Sequence, residues 1–268
     1  MMIMVIVIYM FIFSLLLGLA VGSFLNCLVY RLHNHETIMG RSFCPKCRHK
    51  IRWFDNIPVV SFFILRARCR DCHQKISWQY PVVELVTGLL FVAAAFYHPC
   101  LSGTYVLYFN ATNLIYVVRD WLMLFALIFI FVYDLKYYSI EDVVILPIAA
   151  AVLVLNLLLR FSWINLILSG IGSALFFLIQ YFITRGKGIG FGDFRIGILL
   201  GLYFGWPQIA LAIFLSYIIG SLVSLSLVLA RQKRMKSMIP LGPFLSAGAL
   251  ITIFYGQNIL NWYLSMFK

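Results

Sequence analysis

The chain is expected to be an all-α integral membrane protein of about eight transmembrane helices, with a small polar loop domain between the first two. Three observations predict this. Of its 268 residues 63% are hydrophobic and only 11% charged, and the mean hydropathy is +0.97, far from the composition of soluble domains. Apolar runs recur at lengths near the roughly 20 residues a helix needs to cross a bilayer. The polar residues, by contrast, are concentrated in one loop of about fifty residues.

In chain order the apolar runs lie at 3–30, 80–97, 118–133, 143–160, 163–183, 208–230 and 244–263. The first has no basic segment before it and no small-residue cleavage site after it, so it reads as a membrane helix rather than a cleaved signal. An eighth segment, Phe194 to Gly205, is short and glycine-rich and is expected to be tilted or broken. No internal repeat, low-complexity tract or Gly/Ser linker divides the chain. The expected organisation is a first part, 1–97, made of two membrane helices and the loop 31–80, and a second part, 118–268, forming a six-helix bundle.

The net charge of +12 raises nucleic acid as a partner, and the distribution of charge argues against it. Ten of the 21 basic residues fall in the loop: Arg31, Arg41, Lys46, Arg48, Lys50, Arg52, Arg66, Arg68, Arg70 and Lys75. Arg185, Lys187, Arg195, Arg231, Lys233, Arg234 and Lys236 cluster further on. With eight spans these groups and Lys136 share one face, leaving Arg119, Arg160 and Lys268 on the other. The positive-inside rule makes the rich face cytoplasmic and both termini external. No base-stacking platform or helical reading motif accompanies the charge, so the expected partner is the lipid bilayer and not nucleic acid.

Four of the six cysteines stand in the loop as Cys44-Pro45-Lys46-Cys47 and Cys69-Arg70-Asp71-Cys72. Two matched CxxC knuckles supply four thiolates, the tetrahedral set that structural zinc prefers. Lys46, Arg48, Arg68 and Arg70 are expected to offset the negative charge and favour the thiolates. Paired disulfides and a redox CxxC are the competing readings. A cytoplasmic loop disfavours the first and the duplication disfavours the second. His49 and His73 adjoin the knuckles as substitute ligands or solvated side chains, while Cys27 and Cys100 read as structural. Four cysteines leave a metal no open position, so its role would be to fold a loop too small to build its own core.

Each of the nine carboxylates asks for a partner in so apolar a chain. Glu36, Asp55 and Asp71 belong to the loop, and Asp120 beside Arg119 is expected to be solvated at the outer interface. Asp134 closes the run LMLFALIFIFVY, and Asp193 opens the short segment in the context GIGFGDFR. Two intramembrane carboxylates at matching depth on different helices are a functional candidate. Side by side they would share a proton, one activating water while the other hydrogen-bonds a carbonyl, as in aspartic proteases. The bland alternative is that they only mark helix ends. Gly190 and Gly192 are expected to keep the approach to Asp193 open for a substrate backbone. Glu84, at the start of the second span, is either neutralised at the interface or part of a second site.

At this point four motifs in order resemble the bacterial prepilin peptidases, the type IV leader peptidase family of membrane aspartic proteases. They are GSFLNCLVYRL from Gly22, the cysteine stretch from Arg41 to Gly88, GxGD at Gly190 to Asp193, and IPLGPFLSAG from Ile239. The resemblance implies that Asp134 and Asp193 are catalytic and that type IV prepilins or pseudopilins are substrates, cut at the cytoplasmic face of the inner membrane. It also implies N-methylation of the new amino terminus with S-adenosylmethionine as donor. No glycine-rich Rossmann fingerprint locates that cofactor, and the cysteine domain with Glu84 is the expected region. The family commonly has Pro-Asp where this chain has Glu141-Asp142, which bears on the local turn. A peptidase lacking methylation, and a zinc-stabilised transporter or scaffold using the aspartates as a proton relay, are the alternatives. Transport would favour inverted repeats, and none is visible.

Overall fold

In the computed structural model residues 2–97, 111–186, 188–231 and 239–266 are described. Cys100, Lys187, Lys233, Arg234, Lys236 and Lys268 lie outside them. The described residues form helices α1 (Met2–His33), α2 (Val60–Ile64), α3 (Gln79–Tyr97), α4 (Ala111–Tyr137), α5 (Asp142–Leu158), α6 (Trp163–Thr184), α7 (Asp193–Phe204), α8 (Gln208–Leu229) and α9 (Gly242–Ser265). Eight of these match the eight expected apolar segments, but only six are long and apolar enough to cross a membrane: α1, α3, α4, α6, α8 and α9. At 17 and 12 residues, α5 and α7 are shorter than a full crossing. The protein is a multi-pass membrane protein, and the chain divides into two compact units, 1–113 and 114–268.

In the first unit α1 and α3 pack tightly because both carry glycine where they meet. A Cβ on Gly18 would lie 2.7 Å from the Gly88 Cα, and one on Gly22 would lie 2.7 Å from the Glu84 Cα. Gly18 and Gly22 are four residues apart, the small-xxx-small spacing that lets membrane helices approach backbone to backbone. Below the crossing, Asn26 donates to the Tyr80 carbonyl and accepts from the Gln79 amide, tying the end of one helix to the start of the other.

The second unit is organised around α7. Its contact with α6 is closer than any Cβ allows: at Gly201 one would fall 2.5 Å from both the Gly170 Cα and the Ser169 carbonyl. One turn nearer Asp193, the Ser173 hydroxyl donates to the Gly197 carbonyl at 2.6 Å. The chain leaves α7 at Gly205, whose φ of +65° suits glycine and whose N–H caps the Gly201 carbonyl. On the other side of the unit α8 and α9 meet at Gly248, where a Cβ would be 2.6 Å from the Ser216 nitrogen.

The expectation that Asp120 is solvated beside Arg119 is corrected here. Asp120 is 2% exposed and Arg119 9%, and both belong to a buried polar cluster joining α4, α5 and α7. Arg119 donates to Asp120 at 2.9 Å and to the Asn156 amide oxygen at 3.0 Å. Asn156 in turn donates to the Leu202 and Tyr203 carbonyls at the end of α7, and the Tyr203 hydroxyl donates to Asp120 at 2.7 Å. The guanidinium also sits 4.8 Å from the Tyr203 ring centroid. Because every charge is paired and hydrogen-bonded, α4 continues through Arg119 and Asp120 back to Ala111 instead of starting after them.

The α6–α7 contact yields a stability prediction. Gly201→Val should destabilise the protein by about 1–3 kcal/mol or more through overpacking against backbone. A Cβ at Gly172, on the same helix as Gly170, meets nothing within 4 Å. Gly172→Ala should therefore stay within about 1 kcal/mol of the parent. Thermal unfolding in detergent measures both; equal shifts would contradict the packing account.

Candidate active site and metal centre

In the first unit the two CxxC segments fold as near-copies. In the first the Cys44 N–H donates to the His49 carbonyl and the Arg48 N–H to the Cys44 carbonyl; in the second Cys69 pairs with Gln74 and His73 with Cys69 in the same way. Each knuckle is flanked by a β-bridge, Phe43 with Lys50 and Arg68 with Lys75. Arg48 and His73 hold the corresponding left-handed position at φ of 60° and 55°. The result is that Cys44, Cys47, Cys69 and Cys72 bring their sulfurs within 4.8 Å of one another. All four are free thiols, and the Cys44 and Cys72 sulfurs are 3.9 Å apart. Metal–sulfur bonds of about 2.3 Å in a tetrahedron require sulfur–sulfur edges of about 3.8 Å, so the cluster can hold a metal ion.

The electrostatics of the cluster differ from the expectation in one respect. Burial opposes ionisation of the Cys44 thiol, but N–H donors from Cys47 and Lys46 and the neighbouring thiols outweigh it and bring its pKa down to about 7. The Cys72 thiol receives a hydrogen bond from Gln74, yet burial and the other three thiols push it up to about 12. Four sulfurs so close cannot all ionise without a cation among them. Two of the arginines expected to supply positive charge, Arg48 and Arg70, are committed elsewhere. Arg48 pairs with Glu36 at 2.6 Å. Arg70 grips Asp55 through two bonds of 2.9 and 2.6 Å, holding that carboxyl below its ordinary range. His49 stands beside Asp71 at 4.0 Å and outside the four-sulfur group.

Glu84 is buried, at 7% exposure, where α3 crosses α1. Its carboxylate accepts the Val59 N–H at 2.6 Å. Val59 is a β-branched residue held at φ of +62°, a strained conformation that the surrounding contacts must enforce. Glu84 is therefore buried and held by backbone, with no cationic side chain bonded to it among the described contacts. In the last turn of α1, Arg31 is buried and donates to the carbonyls of Ile38, Gly40 and Arg41, ordering the entry to the cysteine segment.

In the second unit Asp134 and Asp193 come from the last turn of α4 and the first residue of α7. Both are buried, at 6% and 4% exposure, and they are near enough for their charges to interact. Each carboxylate accepts one backbone N–H: Asp134 from Gly242 at 2.8 Å, Asp193 from Gly190 at 2.9 Å. Gly242 opens α9, so Asp134 sits at that helix's N-terminus, where a negative charge is favoured. A Cβ at position 242 would meet the Asp134 Oδ2 at 2.6 Å, so any larger residue there would displace that carboxylate.

Around this pair lie partnerships that the sequence pattern does not reveal. Asp142 pairs with Arg195 at 2.6 Å, joining the start of α5 to the first turn of α7, and Arg195 also lies against Phe191 and Phe194. Glu141 accepts a 2.6 Å hydrogen bond from Tyr133, the neighbour of Asp134. Gly192 is not loose: its φ of −73° is ordinary, and a Cβ would lie 2.8 Å from the Ile140 side chain. It is glycine to let Ile140 close on the loop rather than to keep the loop open. The Gly242 signal was available in IPLGPFLSAG, but its partner lies 108 residues earlier.

Comparison with known proteins shows the family. Residues 16–98 match the family model described as the Bacterial Peptidase A24 N-terminal domain, and residues 121–225 that of the Type IV leader peptidase family. A protein of Aeromonas hydrophila called prepilin leader peptidase/N-methyltransferase is 31% identical over 94% of this chain and 93% of its own length. Proteins of the same name from Pseudomonas aeruginosa and Legionella pneumophila are each 29% identical, over 94% and 96% of this chain and 92% and 95% of theirs. No solved structure matches. Matched by both models in order and by a relative of this identity along nearly its whole length, the chain belongs to the type IV leader peptidase family of membrane enzymes.

Proposed function

We propose that the protein is a prepilin peptidase that removes the leader of type IV prepilins or pseudopilins with Asp134 and Asp193 as its catalytic pair. The observation carrying this reading is that two buried carboxylates on separate helices interact and each is steadied by a single glycine N–H. One carboxylate activates water, and the other hydrogen-bonds the scissile carbonyl and then protonates the leaving amine. Neither has a cationic side chain bonded to it among the described contacts that would hold both permanently ionised. The Asp142–Arg195 pair fixes the start of α7 and so the reach of Asp193. Lys136 and Arg195, basic residues on the same helix ends as the two carboxylates, support a cytoplasmic position for this face in the inner membrane.

In the first unit the four-thiolate cluster fits zinc, which would be structural there because the protein fills all four positions. The relatives' name supports a second activity, transfer of a methyl group to the new amino terminus. S-adenosylmethionine, a sulfonium cation, would supply that methyl group when bound. Glu84 suits it in charge, being a buried carboxylate in a unit whose loop is otherwise strongly basic. The domain assignment follows: 1–97, with the loop 31–80, for methyl transfer and 118–268 for proteolysis.

Three outcomes test the reading. Asp134→Asn and Asp193→Asn should each lower cleavage of a prepilin in membranes by at least about 10²-fold, the scale of a lost acid–base group. Normal cleavage by either correctly inserted variant would disprove the pair. Purified protein should carry about one equivalent of zinc by the four-ligand argument. That zinc should be lost in Cys44→Ser or Cys69→Ser and released as the pH falls and thiolates are protonated; metal analysis decides. Glu84→Gln should leave leader removal intact while mass spectrometry of the processed terminus shows the methyl group missing, and a methylated product would remove Glu84 from that role.

A further inference from the structure

The polar loop between α1 and α3 carries an apolar face that its own interior does not use. In α2 the buried residues are Ser61 and Phe62, whereas Val60, Phe63 and Ile64 are exposed. Those three stand at the i, i+3 and i+4 positions of one helical face. Trp53 and Trp78 lie outward as well, at 77% and 62% exposure. The group is contiguous: Phe62 and Phe63 pack on Trp78 with ring centroids 4.8 and 6.3 Å apart, and Ser61 donates to the carbonyl of Phe54, the neighbour of Trp53. A soluble domain scatters such residues singly, and a joined group marks contact with an apolar phase. The N–H groups of Val59, Val60, Ser61, Leu65, Arg66 and Ala67 are all bonded within the unit, so the segment needs no water to satisfy them.

Two contacts fix the depth of this face. Trp78, which packs on α2, immediately precedes Gln79, the first residue of the membrane span α3. Val59, which immediately precedes α2, donates to Glu84. Glu84 stands five residues beyond Gln79, about 7.5 Å along α3 at 1.5 Å per residue. The helix α2 therefore lies level with the first turns of a span and not out in the aqueous part of the loop. Its face also continues along that span. Trp78 accepts the Val82 N–H in helical fashion, and Val82, Leu85 and Leu89 follow it at i+4, i+7 and i+11, all exposed. The outer side of α2 is thus an extension, at the membrane edge, of the apolar flank of α3.

Charge completes the pattern. Arg52 adjoins Trp53, and Arg66 and Arg68 follow α2; all three are exposed. A left-handed turn at Arg66 and Ala67, with φ of 49° and 56°, sends their N–H groups back to the Phe63 and Phe62 carbonyls and keeps the chain beside α2. Arg66 and Arg68 have no ion pair among the described residues, and the carboxylates nearest in the fold are engaged, Asp55 by Arg70 and Glu84 by Val59. Tryptophan with guanidinium beside it is the chemistry of the headgroup region, where indoles favour the boundary and arginines the phosphates. A second copy docked through the same face would set arginine against arginine. We propose that α2, with Trp53 and Trp78, is an in-plane anchor that beds the four-cysteine loop on the bilayer interface, with Arg66 and Arg68 on the phosphates of anionic lipid. The anchor depends on neither proposed activity.

The test uses the whole chain in vesicles of phosphatidylcholine, with and without phosphatidylglycerol. A photoreactive phenylalanine in place of Phe63 should cross-link to lipid. A fluorescent amino acid in place of Ile64 should be quenched by lipid brominated on its acyl chains, to an extent comparable with the same probe at Leu89 in α3. Arg66→Gln and Arg68→Gln should each lower the ratio of bedded to free loop, read from that quenching at low salt, by about fivefold where phosphatidylglycerol is present and leave it unchanged in phosphatidylcholine alone. Cross-links from Phe63 to the rest of the chain or to a second copy would overturn the anchor. So would a probe at Ile64 that stays unquenched while the one at Leu89 is quenched. An arginine effect equal in the two lipids would remove the anionic headgroup from the proposal. If the Phe63 variant does not insert, the probe at the exposed Ile64 decides alone.

Discussion

The backbone contact between α6 and α7 at Gly170 and Gly201 is the constraint on which the second unit depends. A helix of 12 residues cannot hold its position by spanning the bilayer, so neighbouring helices must hold it. In lipid there is little hydrophobic gain from bringing apolar surfaces together, and closeness of approach and internal hydrogen bonds carry the association. Gly201 on Gly170 provides the closeness, and Ser173 on the Gly197 carbonyl provides a bond from the same face. The position of Asp193, at the first residue of that helix, follows from those contacts.

The buried cluster of Arg119, Asp120, Asn156 and Tyr203 works on the far end of the same helix. It holds the last turn of α7 against α4 and α5, while Asp142 and Arg195 hold its first turn against α5. Ionic groups in such surroundings are tolerated because each is met by its opposite and by further donors, and losing one member would strand the rest. Thus α7 is fixed at both ends by polar contacts and along its length by glycine. In the first unit the same division recurs: glycines seat α1 on α3, and hydrogen bonds from Asn26 and Arg31 order the chain at their ends.

Much of this was legible in the sequence because it is written in local pattern. Apolar run length gave the helices, and the duplicated CxxC spacing pointed to a cluster whose sulfurs do converge. What escaped depends on which residues face one another. Arg119-Asp120 reads as a polar break at an interface, and nothing nearby reveals that Asn156 and Tyr203 will enclose it. Glycines in GIGFGD suggest freedom, whereas Gly192 is there because Ile140 needs the space. The Asp134 donor at Gly242 is separated by four intervening helices. GLAVG, the spacing that packs α1 on α3, was by contrast present in plain view and went unread.

The shortness of α7 bears on the supply of the second substrate of any hydrolysis. Twelve residues reach about 18 Å at 1.5 Å per residue, against a hydrocarbon thickness of about 30 Å. A mismatch of that size is met by a thinned or indented bilayer over the end of the helix, or by water filling the shortfall. Where that shortfall falls at the first residue of α7, either adjustment brings the aqueous phase down to it, and Asp193 is then enclosed by protein while lying within reach of water.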